Sequence, residues 1–122
     1  MQSPYKGKSG LRRVWNAFHY SLDGLKAAWR HEDAFRQEAV LGAFLIPVGL
    51  WLGEGGVEKA LLVGSVVFAL IVEILNSAIE ATVDRISLED HELAKRAKDL
   101  GSAAVLLALL LTLIVWGFVL IG

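Results

Sequence analysis

The stretch LGSAAVLLALLLTLIVWGFVLIG, from Leu100 to Gly122, holds no charged side chain and shows no polar face. A helix needs about 20 apolar residues to cross the hydrocarbon core of a bilayer. Inside that core every backbone N–H and C=O must be paired within the segment. This run therefore predicts a membrane-spanning helix and argues against a water-soluble bundle. Two further apolar segments agree with it. One runs from Ala60 to Val83, broken only by Glu73 and Glu80. The other, AVLGAFLIPVGLWLG from Ala39 to Gly53, is short and gains a turn from the AFRQE before it. Its Pro47 is tolerated in a membrane helix where neighbours satisfy the freed carbonyl.

With 122 residues, 55% of them hydrophobic, the chain has room for one membrane domain over 1–122. Twelve Lys and Arg against 13 Asp and Glu leave no bulk charge for nucleic acid. Cysteine is absent, which excludes disulfides, thiol chemistry and cysteine metal sites. His19, His31 and His91 are scattered without zinc-type spacing. No apolar core of signal-peptide type follows the first basic residues, so the hydrophobic segments are expected to stay in the mature protein. GKS at 7–9 would need a glycine at position 2 to complete a phosphate-binding loop, and Gln2 stands there.

Basic residues set the expected orientation. Lys6, Lys8, Arg12, Arg13, Lys26, Arg30 and Arg36 precede the first span, GEGGVEK (53–59) carries one lysine, and the loop 84–99 carries four basic residues. The positive-inside rule puts the N-terminus and the 84–99 loop in the cytoplasm and the C-terminus outside, in a multi-pass membrane protein. Trp29, Trp51 and Trp116 sit near span ends, as interfacial anchors do. Before the first span, Leu11, Val14, Trp15, Phe18, Leu22, Leu25 and Trp29 recur at helical spacing with polar residues opposite. This predicts a surface helix lying apolar face down. Its pattern breaks at His31-Glu32-Asp33. The expected helices cover about 9–30, 34–53, 60–83 and 88–121, the last opened by a capping signature at Ser87–Asp90.

The second span raises the functional question. At 100° per residue, Glu73 and Glu80 are nearly eclipsed, Asn76 and Ser77 lie between them, and Asp84 continues the stripe. Charged residues at a membrane-helix centre cost about 2.5–3.5 kcal/mol each on insertion scales, so stability alone does not select two acids there. A polar seam between helices accounts for Asn76 and Ser77 but poorly for the glutamates. Glu73 is about 15 Å deeper than Asp84, at 1.5 Å per residue. A shallow carboxylate can meet ions and phosphates from water, and a deeper one a group just below the lipid headgroups. Glu32 and Asp33 stand before the first span, and His91, Lys95, Lys98 and Ser102 share one face of the third, with Asp99 beside them. Carboxylates suit magnesium and lysines suit phosphate. A solvated loop with i,i+4 ion pairs is the simpler reading of any single residue in 84–99.

EILNSAIEATVDRI resembles the signature of the small bacterial integral-membrane diacylglycerol kinases, which are related to undecaprenol kinases. YSLDGLKAAWRHEDAFRQE and HELAKRAKDLGSAAV resemble the flanking blocks, so the similarity covers roughly 13–107. The resemblance implies an all-α homotrimeric bundle with a surface helix and three membrane helices per protomer. It implies magnesium-dependent transfer of the ATP γ-phosphate to diacylglycerol, giving phosphatidic acid. By motif, Glu73 is the implied base and Glu32 and Glu80 the implied metal ligands. Arg13, Tyr20, Glu89, Asp90, His91, Lys98 and Asp99 are the implied nucleotide contacts. Ala34, Phe35, Arg36, Gln37, Glu38, Trp51, Asn76 and Ser102 are implied to line the lipid side, and the interfacial Trp29 and Trp116 are grouped with them. Family sites of this kind are shared between protomers. Asp33 adds an acid beside Glu32, which leaves open which of the two meets the metal. Three rival readings remain. An undecaprenol kinase has the same mechanism, though AFRQE and RAKDLGSAAV favour diacylglycerol. An ion or proton transporter would use Glu73 and Glu80 as carriers but leaves the 91–102 stripe and the surface helix unexplained. A structural subunit leaves Glu73 unexplained.

Overall fold

A computed structural model describes residues 10–86 and 91–122. The described residues form four helices: α1 (Gly10–His31), α2 (Asp33–Leu52), α3 (Gly55–Ile86) and α4 (Glu92–Ile121). The last three are each long and apolar enough to cross a membrane. The chain is thus an all-α, multi-pass membrane protein preceded by an amphipathic helix. The stripe Leu11, Val14, Trp15, Phe18, Leu22, Leu25 and Trp29 is exposed along α1, a face with no protein cover within the protomer.

The break expected at 31–33 is present. Glu32 has extended backbone and heads α2 as its N-cap residue, so α1 and α2 meet at one residue. Arg36 secures the corner. Its guanidinium donates to the carbonyls of Trp29 and Arg30 at 2.9 and 3.0 Å and pairs with Asp33. Those carbonyls are two of the four a helix end leaves open, so the side chain closes the C-terminus of α1.

Two boundaries differ from the sequence expectation. The helix α3 begins at Gly55, well before the apolar run at Ala60. Gly53 ends α2, Gly55 takes φ +85°, a conformation glycine adopts without steric cost, and Glu58 accepts the Glu54 N–H at 2.9 Å. At the other end, α4 starts at Glu92 rather than near Leu88. His91 is its N-cap residue, with Nδ1 accepting the Leu93 N–H at 3.1 Å. The capping signature at Ser87–Asp90 lies outside the described residues.

The long helix α3 is the centre of the protomer, packed by α2 on one side and α4 on the other. Small residues make both contacts. Gly42 and Gly49 of α2 meet Val66 and Leu62 of α3, and a β-carbon at Gly49 would sit 3.1 Å from that of Leu62. Gly101 and Ala108 of α4 are buried. Lipid tails are as apolar as leucine, so close van der Waals approach and interhelical hydrogen bonds hold membrane helices together. The half of the α3–α4 seam nearer the start of α3 has such bonds. Thr112 Oγ1 donates to the Ser65 carbonyl and Trp116 Nε1 to the Leu62 carbonyl, both at 3.1 Å.

Candidate active site

The C-terminal half of α3 carries Glu73 and Glu80. Glu73 is 4% exposed and Asn76 8%, both buried within a single protomer, while Glu80 is half-exposed. Measured from Ala60, Glu73 lies about 20 Å along α3 and Glu80 about 30 Å, so a hydrocarbon layer about 30 Å thick would contain the first and end near the second. Asn76 Nδ2 donates to Glu80 Oε1 at 3.5 Å, a long contact that ties the two residues on one face.

Glu73 does not stand alone. Glu38, from the second turn of α2, meets it side chain to side chain, and Glu32 and Glu80 stand within electrostatic range. Two carboxylates, from α2 and α3, thus meet, with those of Glu32 and Glu80 farther off. The sequence placed Glu38 only within the AFRQE block. Its position inside a membrane-spanning helix, like that of Glu73, was the available signal that it faces the same centre.

Two cavities flank this cluster. A cleft of about 420 Å³ lies between α1 and α3, walled by Gly24, Ala28 and His31 on one side and Ser77 and Ala81 on the other, with Glu32 at the corner. The small residues of α1 leave room there. A second pocket, about 60 Å³, lies between α2, α3 and α4. Leu41, Leu45, Val66, Leu70 and Leu109 line it, and Glu38 is its one acid. Glu32 thus borders the cleft, and Glu38, which meets the buried Glu73, borders the apolar pocket.

The other expected site residues divide into groups. Lys98 pairs with Asp84 at 2.6 Å, linking α4 to the C-terminal end of α3, and Asp99 pairs with Lys95 at 2.7 Å. Both pairs are at the same end of the bundle as Glu80. His91 is there too, as the cap of α4. Ser102 is exposed one residue past Gly101. Arg13 and Tyr20 lie along α1, about 27 and 16 Å from its end at His31. Phe35 is packed inside the protomer, Ala34 and Gln37 are exposed, and Arg36 closes α1. Trp29 is exposed near the corner, and Trp51 is 82% exposed at the far end of α2. Trp116 packs on Gly49 and bonds Leu62, at the opposite end of α3 from the acids. Glu89 and Asp90 lie outside the described residues.

Among the described residues, no three His, Cys, Asp or Glu side chains are grouped to hold a metal ion. Magnesium does not require such a cage, because it commonly takes one or two carboxylates together with substrate phosphates and water. Glu32 fits that use. It occupies an N-cap position without a side-chain capping bond, so its carboxylate is not spent on the helix it heads. Glu80 carries only the long bond from Asn76.

Comparison with known proteins agrees with this arrangement. The family model described as "Prokaryotic diacylglycerol kinase" matches residues 19–120. A protein named diacylglycerol kinase from Pseudomonas aeruginosa is 53% identical over 120 residues, covering 98% of both chains. The one of that name from Escherichia coli K12 is 51% identical over 108 residues, 88% of each chain. Another from Haemophilus influenzae is 49% identical and covers 92% of this chain and 95% of its own. The model spans most of the chain and crosses every element that builds the acidic cluster, so the chain belongs to the prokaryotic diacylglycerol kinase family.

Proposed function

We propose that this protein transfers the γ-phosphate of ATP to the hydroxyl of diacylglycerol at the membrane surface, forming phosphatidic acid. The observation that carries the reading is the buried Glu73, in contact with Glu38, the one acid of an apolar pocket, with Glu32 bordering a separate cleft beside α1. Such a place suits a reaction with one water-soluble and one lipid-soluble partner. The names of the relatives support the substrate and the reaction class.

In this reading Glu73 accepts the proton of the lipid hydroxyl. The hydroxyl oxygen bonds to the γ-phosphorus, the bond to the β–γ bridging oxygen breaks, and ADP leaves. Phosphoryl transfer asks mainly for positioning and charge neutralisation, so the side chains around Glu73 matter as much as the base. Glu32 and Glu80 hold magnesium, which neutralises the phosphate oxygens when bound with the nucleotide. Lys98 and Asp99, with His91 and the 89–90 pair, contact the nucleotide at the cytoplasmic boundary. Glu38 and Asn76, with Ser102, border the lipid headgroup.

Arg13 lies about 27 Å along α1 from the corner at His31, which supports a site shared between protomers of a homotrimer. The N-terminus and the 84–99 loop face the cytoplasm, by their basic residues, and the C-terminus faces outward from the inner membrane. The test is transfer of labelled phosphate from ATP by the purified protein in mixed micelles, over a range of magnesium concentrations. Magnesium-dependent labelling of diacylglycerol is expected. Labelling of undecaprenol alone would keep the mechanism and change the substrate, and labelling of neither would reject the kinase reading.

A further inference from the structure

We propose that Gly101 of α4 is a positioning residue for the metal-binding end of the site. Its missing side chain lets α4 close over the Asn76 amide and keep that amide on Glu80. The inference rests on the reading of Glu80 as a magnesium ligand.

Three observations carry it. Gly101 is buried at the α3–α4 contact. A β-carbon built on Gly101 would collide with Asn76 Oδ1 and crowd Asn76 Cγ at 3.3 Å. That oxygen is itself buried without a hydrogen-bond partner, while Nδ2 of the same amide reaches Glu80 Oε1.

The geometry explains the unpaired oxygen. A glycine carries a hydrogen where the β-carbon would stand, so Asn76 Oδ1 faces a Cα–H bond of Gly101. This is the arrangement of a weak Cα–H···O contact, known from close helix–helix interfaces. It also sets the sense of the amide. With oxygen toward α4, the NH2 group must point along α3 toward Glu80. The reverse sense would set a carbonyl against a carboxylate. The glycine thus acts through Asn76 on the direction of the Glu80 carboxylate. Among described glycines lying inside one helix whose added β-carbon would meet another helix, Gly42 and Gly49 meet the side chains of Val66, Leu70, Leu62 and Trp116 at carbon atoms, whereas Gly101 meets an amide oxygen.

Gly101→Ala must push the Asn76 side chain aside, loosening the amide from Glu80. Loss of a group that orients a metal ligand costs about 10–100-fold in metal affinity. The experiment measures the magnesium concentration needed for binding of a non-hydrolysable imido analogue of ATP to the purified protein in micelles. Gly101→Ala is expected to raise it by about 10-fold, the lower end of that range. On an Asn76→Ala background, where the collision is gone, the same substitution is expected to add nothing. Gly49→Ala, which crowds only apolar atoms far from the acids, should lower stability without changing the magnesium requirement. An equal effect of Gly101→Ala on both backgrounds would overturn the proposal, since the glycine would then serve helix packing alone. If Gly101→Ala folds only on the Asn76→Ala background, the steric relation is upheld; if it folds on neither, the proposal is overturned. Glu80→Gln separates the underlying reading. An unchanged magnesium requirement there rejects Glu80 as a ligand, and the Gly101 proposal with it. A requirement raised by Glu80→Gln but not by Gly101→Ala rejects the Gly101 proposal alone.

Discussion

Trp116 receives two opposed expectations, and its substitution separates them. The family resemblance groups it with the lipid-side residues, whereas the fold places it in the α3–α4 seam, with its indole N–H on the Leu62 carbonyl at 3.1 Å. Interhelical hydrogen bonds in membranes contribute about 0.6 kcal/mol on average and about 1.7 at most. The Leu62 carbonyl belongs to a helix and retains its backbone partner, so the value should fall at the low end. Trp116→Phe also removes the ring atoms Cζ2 and Cη2 that cover Gly49. A few lost atom contacts at about 0.1–0.2 kcal/mol each add roughly half a kcal/mol. The single change should therefore cost about 1 kcal/mol. Thr112→Val removes a second seam bond, to the Ser65 carbonyl at 3.1 Å, and should bring the double variant to about 1.5–2 kcal/mol. Leu62 and Ser65 stand about 16 and 12 Å along α3 from Glu73, so the chemistry should be untouched. The assay is reversible unfolding in mixed micelles by rising SDS fraction, beside initial rates at varied lipid. A raised KM for the lipid with unchanged unfolding would refute this account and return Trp116 to the lipid pocket.

Other perturbations test the remaining contacts. Arg36→Ala should uncover the carbonyls of Trp29 and Arg30 and cost about 1 kcal/mol, with α1 becoming more accessible to protease, since a hydrogen bond is worth about that much. Unchanged cleavage of α1 would show that the corner is held without the guanidinium. Lys98→Met removes the ion pair to Asp84, whose side chains are 43% and 58% exposed, so its stability cost should stay below about 1 kcal/mol and shrink in high salt. A loss of ATP affinity well beyond that is expected if the lysine contacts the nucleotide. An effect on stability alone would remove it from the site.

Much of the architecture was readable because membrane helices leave coarse signals. The uncharged run after Leu100, the acids of 71–85 and the amphipathic stripe of α1 each follow from solvent and period alone. The corner at Glu32 was visible for the same reason, as the point where the apolar stripe fails. What sequence could not supply was the partner across each interface. Nothing in AFRQE says that Arg36 turns back to close α1 while Glu38, two residues later, turns inward to Glu73. Nor does anything in the α2 segment say that Gly42 and Gly49, seven residues apart, are the points where it meets α3. Gly101 looked like one small residue among several in GSAA. Its significance depends on the Asn76 side chain of another helix. Arg13 shows the converse case: motif similarity implies a nucleotide contact, while α1 holds it about 27 Å from the corner at His31.

The central claim is that the buried Glu73 takes the proton of the lipid hydroxyl. The most direct measurement is single-turnover phosphate transfer from labelled ATP to diacylglycerol by wild type and Glu73→Gln, with nucleotide binding measured on the same preparations. General-base catalysis contributes about 10²–10⁴-fold. The account predicts a rate lowered by at least that factor, with the helices intact and nucleotide affinity retained. A variant that transfers phosphate at close to the wild-type rate would contradict it.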